Sequence, residues 1–174
     1  MKLEDGKLKL RALEPSDLSY LVAWENNPAY WTYSQQKVPY SEYLLKEYIN
    51  EAGKDLFEVG QLRLMICFED NAIGLIDLFD FSADHQRAAL GILIGSENYR
   101  GQGLAKKAML LFLNYAFPTF NLKQVYAGIS HNNHASLGLF EACGFKSCGL
   151  RKAWYREGSN FIDEHCLQLL KEDL

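Results

Sequence analysis

The chain has 174 residues, 48% of them hydrophobic, and carries 18 Lys+Arg against 22 Asp+Glu for a formal net charge of -4. That size and apolar content suit one domain with a sizeable core, and the charge argues against a general nucleic-acid surface, which is usually basic. The start, Met1-Lys2-Leu3-Glu4-Asp5-Gly6, lacks the apolar stretch of a signal peptide. No run approaches the roughly 18 apolar residues of a membrane helix, and Cys67, Cys143, Cys148 and Cys166 form no C-x-x-C pair. The expectation is a cytoplasmic protein in a reducing setting, with no membrane or nucleic-acid partner.

No internal repeat, low-complexity tract or linker interrupts the sequence, which predicts a single domain over residues 1–174. Leu8 to Leu13 alternates apolar and polar residues, as a half-buried strand does. Glu14-Pro15-Ser16-Asp17 reads as a helix entry, with the helix running to about Asn26 and stopping before Pro28. Tyr30-Trp31-Thr32-Tyr33 reads as an aromatic loop, and Ser41 opens a second helix closed by Gly53. Two apolar runs, Leu62 to Phe68 and Ala72 to Phe79, flank Glu69-Asp70-Asn71 and predict a hairpin. A strand over Arg87 to Ile94 precedes a helix from Leu104 to Phe117. A strand over Gln124 to Ile129, a helix from Asn133 to Cys143 stopped by Gly144, and a final strand pair (Phe145 to Leu150, Phe161 to Leu170) complete the order βααβββαβαββ. Such an order predicts an α/β layered domain (α+β type) with a mainly antiparallel sheet, here about seven strands and about four helices.

Arg100-Gly101-Gln102-Gly103-Leu104-Ala105 is the most informative stretch. A strand, a glycine-rich turn and a helix start expose unpaired backbone N–H groups at the positive end of a helix dipole, an anion site suited to phosphate. The glycines leave out the Cβ atoms that would hold a phosphate away. The loop lacks the Lys-Ser/Thr ending of a P-loop and does not fit G-x-G-x-x-G.

Together with Asn133-His134-Ala135-Ser136-Leu137-Gly138-Leu139-Phe140 and Gly144-Phe145, this loop resembles the GNAT superfamily of acyl-CoA-dependent N-acetyltransferases. The family's pyrophosphate loop, Q/R-x-x-G-x-G/A, is matched by Arg100, Gly103 and Ala105. Its next helix, N-x-x-A/S-x-x-L-Y/F followed by G-F, is matched by Asn133, Ser136, Leu139, Phe140, Gly144 and Phe145. The likeness runs from Leu8 to Leu170 in element order, toward spermidine N-acetyltransferases and ribosomal-protein N-terminal acetyltransferases.

The resemblance implies a GNAT fold, splayed at an acetyl-CoA site, with acetyl-CoA as cosubstrate. Ile92, Leu93 and Ile94 would pair with the pantetheine arm. The backbone of Arg100, Gly101, Gln102, Gly103, Leu104, Ala105 and Lys106 would hold the pyrophosphate, while Asn133, Ser136 and Phe140 line the channel. The acetyl group would pass directly to a primary amine in a ternary complex, without a metal. The backbone N–H of Leu93 or Ile94 would steady the oxyanion.

Two catalytic positions depart from the family. Phe140 stands where many relatives place a tyrosine acid, leaving Cys143 (or Ser136) as a weak substitute; Leu90 stands where the spermidine-like group has an acid. Asp77, on a strand bordering the cleft, is the remaining candidate for base or amine ligand. Tyr30, Trp31, Tyr33, Trp154 and Tyr155 are candidates to wall the acceptor site, and Lys106 and Lys107 to meet CoA phosphates. His131 and His134 lack the partners of a metal site. The acceptor stays open: a polyamine or diamine, another small amine, an amino sugar, or a protein N-terminus. A non-catalytic CoA-binding module is the alternative from another class, and a homodimer is a further expectation.

Overall fold

The computed structural model describes residues 3–34 and 36–174, the side chains of residues 32–34 excepted. In chain order the elements are β1 (Glu4–Asp5), β2 (Leu8–Arg11), α1 (Leu18–Glu25), α2 (Pro28–Ser34), α3 (Glu42–Glu51) and α4 (Leu56–Val59). Then come β3 (Leu62–Phe68), β4 (Asn71–Ser82), β5 (Arg87–Ile94), α5 (Leu104–Thr119), β6 (Gln124–Ser130), α6 (His134–Ala142), β7 (Lys146–Glu157) and β8 (Asn160–Leu170). The strands form one eight-stranded sheet in the order β1-β2-β3-β4-β5-β6-β8-β7. Every neighbouring pair is antiparallel except β5 with β6.

Most of the expected elements stand where local residue types place them. Ser41 caps α3 through its hydroxyl, which accepts from Leu44 N–H at 3.1 Å. Glu69 and Asp70, both at positive φ, form the two-residue turn of the β3–β4 hairpin, the twist that suits such a connection. Three expectations need correction. Tyr30 and Trp31 are not in a loop: Pro28, expected to stop a helix, instead opens α2, the first turn being where a missing N–H costs nothing. The single turn α4 went unnoticed; Asp55 caps it by accepting from Phe57 N–H, and Gly60 ends it in the left-handed conformation. β7 extends to Glu157 because it pairs along the length of β8.

The sheet divides the core in two. On one face α5 buries Met109, Phe112, Leu113 and Phe117 against Leu64, Ile66, Ile76, Leu90 and Val125. On the other, Leu21 and Trp24 of α1 and Leu45 and Ile49 of α3 pack on Met65, Leu75 and Leu93. Side chains alternate along each strand, so Leu90, Ile92 and Ile94 belong to the α5 face while Leu93 belongs to the α1–α3 face. Replacing Phe112, fully buried at the centre of the larger cluster, by Ala is expected to cost about 3–5 kcal/mol in urea unfolding.

Asp17, 1% exposed, anchors the N-terminal end of α1. Its carboxylate accepts from the Arg11 guanidinium at 2.6 and 2.8 Å and from Glu14 N–H at 2.8 Å. Burial pushes this carboxyl up, but the Arg11 hydrogen bonds, the Glu14 N–H and the Arg11 charge outweigh it, leaving it below the ordinary 3.8. A depressed folded value adds stability above the unfolded value, lost as pH falls through the folded one. Asp17→Asn should therefore cost roughly 1–3 kcal/mol at neutral pH, a difference that closes in acid-unfolding curves as the pH drops below 3.8.

Candidate active site

β5 and β6 pair over three residues only: Arg87 with Gln124, Ala88 with Val125, Ala89 with Tyr126. Beyond that point β5 continues to Ile94 alongside β4, and β6 continues to Ser130 alongside β8. The two parallel strands therefore diverge, leaving a cleft whose walls are backbone.

Which backbone groups face this cleft follows from the two-residue repeat of a strand. At the start of β5 the Gln86 carbonyl accepts from Lys123 and Gln124, on the β6 side; at its end the Ile94 carbonyl accepts from Arg100 Nε at 3.0 Å. Even-numbered residues thus aim their polar groups toward β6, and Ile92 N–H and C=O point into the cleft. Leu93 faces the other way: a Cβ built on Gly74 of β4 would lie 2.1 Å from the Leu93 carbonyl oxygen. The expected Leu93 oxyanion donor is therefore corrected. The cleft-facing donors are Ile92 and Ile94.

At the end of β5 the chain turns through Gly101 (φ 71°) and Gly103 (φ 74°), conformations that disfavour any residue with a Cβ. Gly103 caps α5 without a side-chain hydrogen bond, so the first N–H groups of a 16-residue helix are left to an outside acceptor. A Cβ at Gly101 or Gly103 would meet nothing within 4 Å, so the space before these amides is open. This turn fits a diphosphate. Leu104 is buried beneath it, Ala105 is half-buried and Lys106 is exposed beside it. Gln102 is held by Asn98, to whose carbonyl its amide donates at 2.7 Å. Arg100 turns back, donating to the Ile94 carbonyl and the Tyr30 hydroxyl, so it pins the turn to β5 and α2.

Asn133 caps α6, its Oδ1 accepting from Ser136 N–H at 3.2 Å, and Ser136 is half-buried. Phe140 and Cys143 lie in the hydrophobic core, Phe140 packed edge-on to Phe145 at 4.8 Å. Burial pushes the Cys143 thiol up, only partly opposed by the Lys106 charge. A buried thiol on the core side of the helix is a packing residue, which removes Cys143 from the candidate acids.

The face opposite α5 carries the polar groups. Asp77 reaches it, with its Cβ near Gly91 of β5, but both carboxylate oxygens accept from Arg63, directly across the hairpin. Arg63 also bonds Glu25 and lies over the Tyr48 ring at 5.1 Å. Asp77 is thus one member of a three-residue ion cluster with a net charge of about −1, and its lone pairs are engaged. Tyr30 and Trp31 gather at the same end: the Tyr30 hydroxyl donates to the Gly95 carbonyl at 3.2 Å and Trp31 Nε1 to the Glu25 carbonyl at 2.9 Å. Trp154 does not join them; it stands on edge strand β7, 54% exposed, under the Arg151 guanidinium. Tyr33's side chain lies outside the described residues.

Sequence reasoning missed Glu164. It is 4% exposed, on β8 opposite Ser130, four residues beyond Tyr126, the last β6 residue to pair with β5. A Cβ on Gly128 would come within 2.5 Å of its carboxylate, so the glycine makes the room that this side chain fills. Arg151 and the Tyr155 hydroxyl donate to its two oxygens. The alternation of Ile162, Glu164, Cys166 and Gln168 is visible in the sequence, but which residues these meet depends on the β6–β8 register.

A family profile described as Acetyltransferase (GNAT) domain matches residues 7–146. The chain belongs to this family. It is 31% identical over 145 residues to a spermidine N(1)-acetyltransferase of Vibrio cholerae, covering 81% of this chain and 80% of that one. The spermidine N(1)-acetyltransferase of Escherichia coli K12 is 29% identical over 138 residues, covering 79% and 72%. The crystal structure of the Vibrio cholerae spermidine N-acetyltransferase in complex with CoA and spermine superposes with a TM-score of 0.86 at 25% identity, covering 97% and 98%. A dodecameric structure of that enzyme gives 0.79 at 27% identity, covering 97% and 96%. The chain is an acetyl-CoA-dependent N-acetyltransferase of the GNAT fold. Among the described residues no group of three His, Cys, Asp or Glu side chains could hold a metal, and no helix is long and apolar enough to cross a membrane.

Gly103→Val should strain the left-handed turn and crowd the helix amides. The expected result is at least a tenfold weaker CoA affinity by calorimetry, at a Tm within a few degrees of the unsubstituted protein.

Proposed function

We propose that the chain transfers acetyl from acetyl-CoA to a small primary amine by direct attack in a ternary complex. One observation carries this reading: the three-residue pairing of β5 and β6, which leaves a backbone-walled cleft ending at an uncapped helix N-terminus. Bound acetyl-CoA would supply an activated thioester. Gly101 to Lys106 would hold the pyrophosphate, and the Ile92 N–H would steady the charge that develops on the carbonyl oxygen. The amine arrives protonated; with an ordinary value near 10.4, roughly one molecule in a thousand is neutral near pH 7.

Glu164, beside the cleft, is the proposed proton acceptor: one of its oxygens takes the Tyr155 hydroxyl, which can relay the amine's proton to it, whereas both Asp77 oxygens face only the Arg63 guanidinium. Asp77 and Glu25 then act on the acceptor only through the residual negative charge of their cluster. Tyr30 and Trp31 border the donor end of the site. A thiolate near pKa 8.5 leaves without a dedicated acid, so Phe140 at the family's tyrosine position is compatible with turnover. The spermidine-acetylating relatives support a small amine as acceptor over a protein N-terminus or an amino sugar. The dodecameric Vibrio cholerae enzyme supports association of copies of this chain.

Glu164→Gln keeps the shape and one accepting oxygen for Arg151, and its NH2 can donate to the Tyr155 hydroxyl in place of accepting from it. It should lower kcat by roughly a hundredfold or more at pH 7 and progressively less as the pH approaches the amine's own value, at a Tm that reports the fold separately. A loss independent of pH would remove Glu164 as proton acceptor. Asp77→Asn should leave the shape of that pH profile unaltered.

A further inference from the structure

The acceptor's chemical class is written on the sheet face opposite α5, and the inference rests on the acetyl-transfer reading above. A half-open cavity of about 380 Å³ lies on that face, floored by Arg87, Gln124, Tyr126, Arg151 and Gln168. Its upper end is Gly128, beside the cleft; its lower end is Arg87, at the start of β5. The volume falls within the usual range for a small-molecule site.

The charges along this trough are ordered. Among the described residues, no Asp or Glu lines the cavity. The acids nearest to it are already engaged: Glu164 by Arg151 and Tyr155, Asp80 by the Tyr126 hydroxyl. Arg151 is held in turn by Glu164 and by the Trp154 ring. Arg87 is exposed at the lower end, close enough to Tyr126 that its charge acts on the phenol. Outside the cavity's own lining, on the β4 side of β5, the Glu25–Arg63–Asp77 cluster carries the residual negative charge, with Asp77 against Gly91. Running down β5 from Gly91 to Arg87, the face passes from negative to positive over four residues, about 13 Å.

A polycation matches only one end of such a trough, and its second ammonium would lie by Arg87. A zwitterion matches both. We propose that the acceptor is a small primary amine that also bears a carboxylate, an amino acid or a short peptide, seated with its amine at the Gly128–Gly91 end and its carboxylate at Arg87. In the transfer, the amine nitrogen forms the new bond to the acetyl carbon as the carbon–sulfur bond breaks. The Tyr155 hydroxyl takes the amine's proton as it gives its own to Glu164, and the sulfur departs as thiolate. The carboxylate takes no part in bond making; it binds.

The test is acetyl-CoA turnover, read as thiol release and product mass, with matched acceptors: β-alanine, γ-aminobutyrate, lysine and glycylglycine, their neutral amides, putrescine and spermidine. The expected result is a kcat/KM at least tenfold higher for the best carboxylated amine than for its own amide or for spermidine. Arg87→Gln should erase the acid–amide difference, mainly through KM, and Arg87→Lys should restore part of it. Spermidine or an amide used as well as the acids would overturn the inference. So would a panel in which no carboxylated amine is acetylated although acetyl-CoA still raises Tm, or an Arg87→Gln effect equal for acids and amides. If acetyl-CoA itself does not raise Tm, the donor reading fails, and the acceptor inference falls with it.

Discussion

Two parallel strands that begin as partners and then separate are the constraint on which the rest of the molecule depends. Strands do not stay apart unaided, because unpaired backbone N–H and C=O groups seek partners. Here each is held from its outer side. β5 pairs with β4 as far as Ile94, and β6 pairs with β8 as far as Ser130. α5 packs beneath both, with Phe112, Leu113 and Phe117 buried to within 1% of full enclosure, so the cleft cannot close without breaking the larger core. The gap is thus a product of the whole sheet, and the amides it leaves open are fixed before any ligand arrives, the preorganisation that makes backbone donors effective.

The polar face built over this cleft is economical with charge. Asp77 and Glu25 share Arg63, Glu164 holds Arg151, and Asp80 takes the Tyr126 hydroxyl. Burial, helped by that hydrogen bond and by the Asp80 charge, pushes the Tyr126 phenol up to about 12, so Tyr126 remains a neutral donor through the physiological range. Neutralised in this way, the face neither repels an incoming ammonium nor attracts polycations without limit. The residual negative charge near Gly91 and the positive charge at Arg87 give it a direction.

How much of this could be read from the sequence depended on whether the signal was local. The glycine turn was legible because Gly101 and Gly103 mark a backbone conformation that few other residues adopt, directly before a helix. Asn133 and Gly144 were legible for the same reason, as the start and stop of α6. Local signals also misled: Pro28 ends one helix and begins the next, and four consecutive residues with three aromatics looked like a loop although they lie in α2. The family resemblance singled out Asp77 as the remaining acid on its expected strand. It could not say that Arg63 would occupy both its oxygens, since that follows from the hairpin register set past the irregularity at Ile66 and Cys67. Leu93 failed for a one-residue reason: in a strand, neighbouring residues point their backbone groups to opposite sides. Glu164 was the least legible, because its importance lies in Gly128, 36 residues earlier, leaving space for it.

The central claim is that the β5–β6 cleft and the turn into α5 hold the acetyl donor. Amide NMR during a titration with CoA tests it most directly. The account predicts concerted shifts at Ile92, Ile94, Gly101, Gly103, Leu104 and Ala105, with little change along β1 to β3. Shifts confined to the β7–β8 hairpin or to the α3–α4 side of the sheet, with those six amides unmoved, would contradict it.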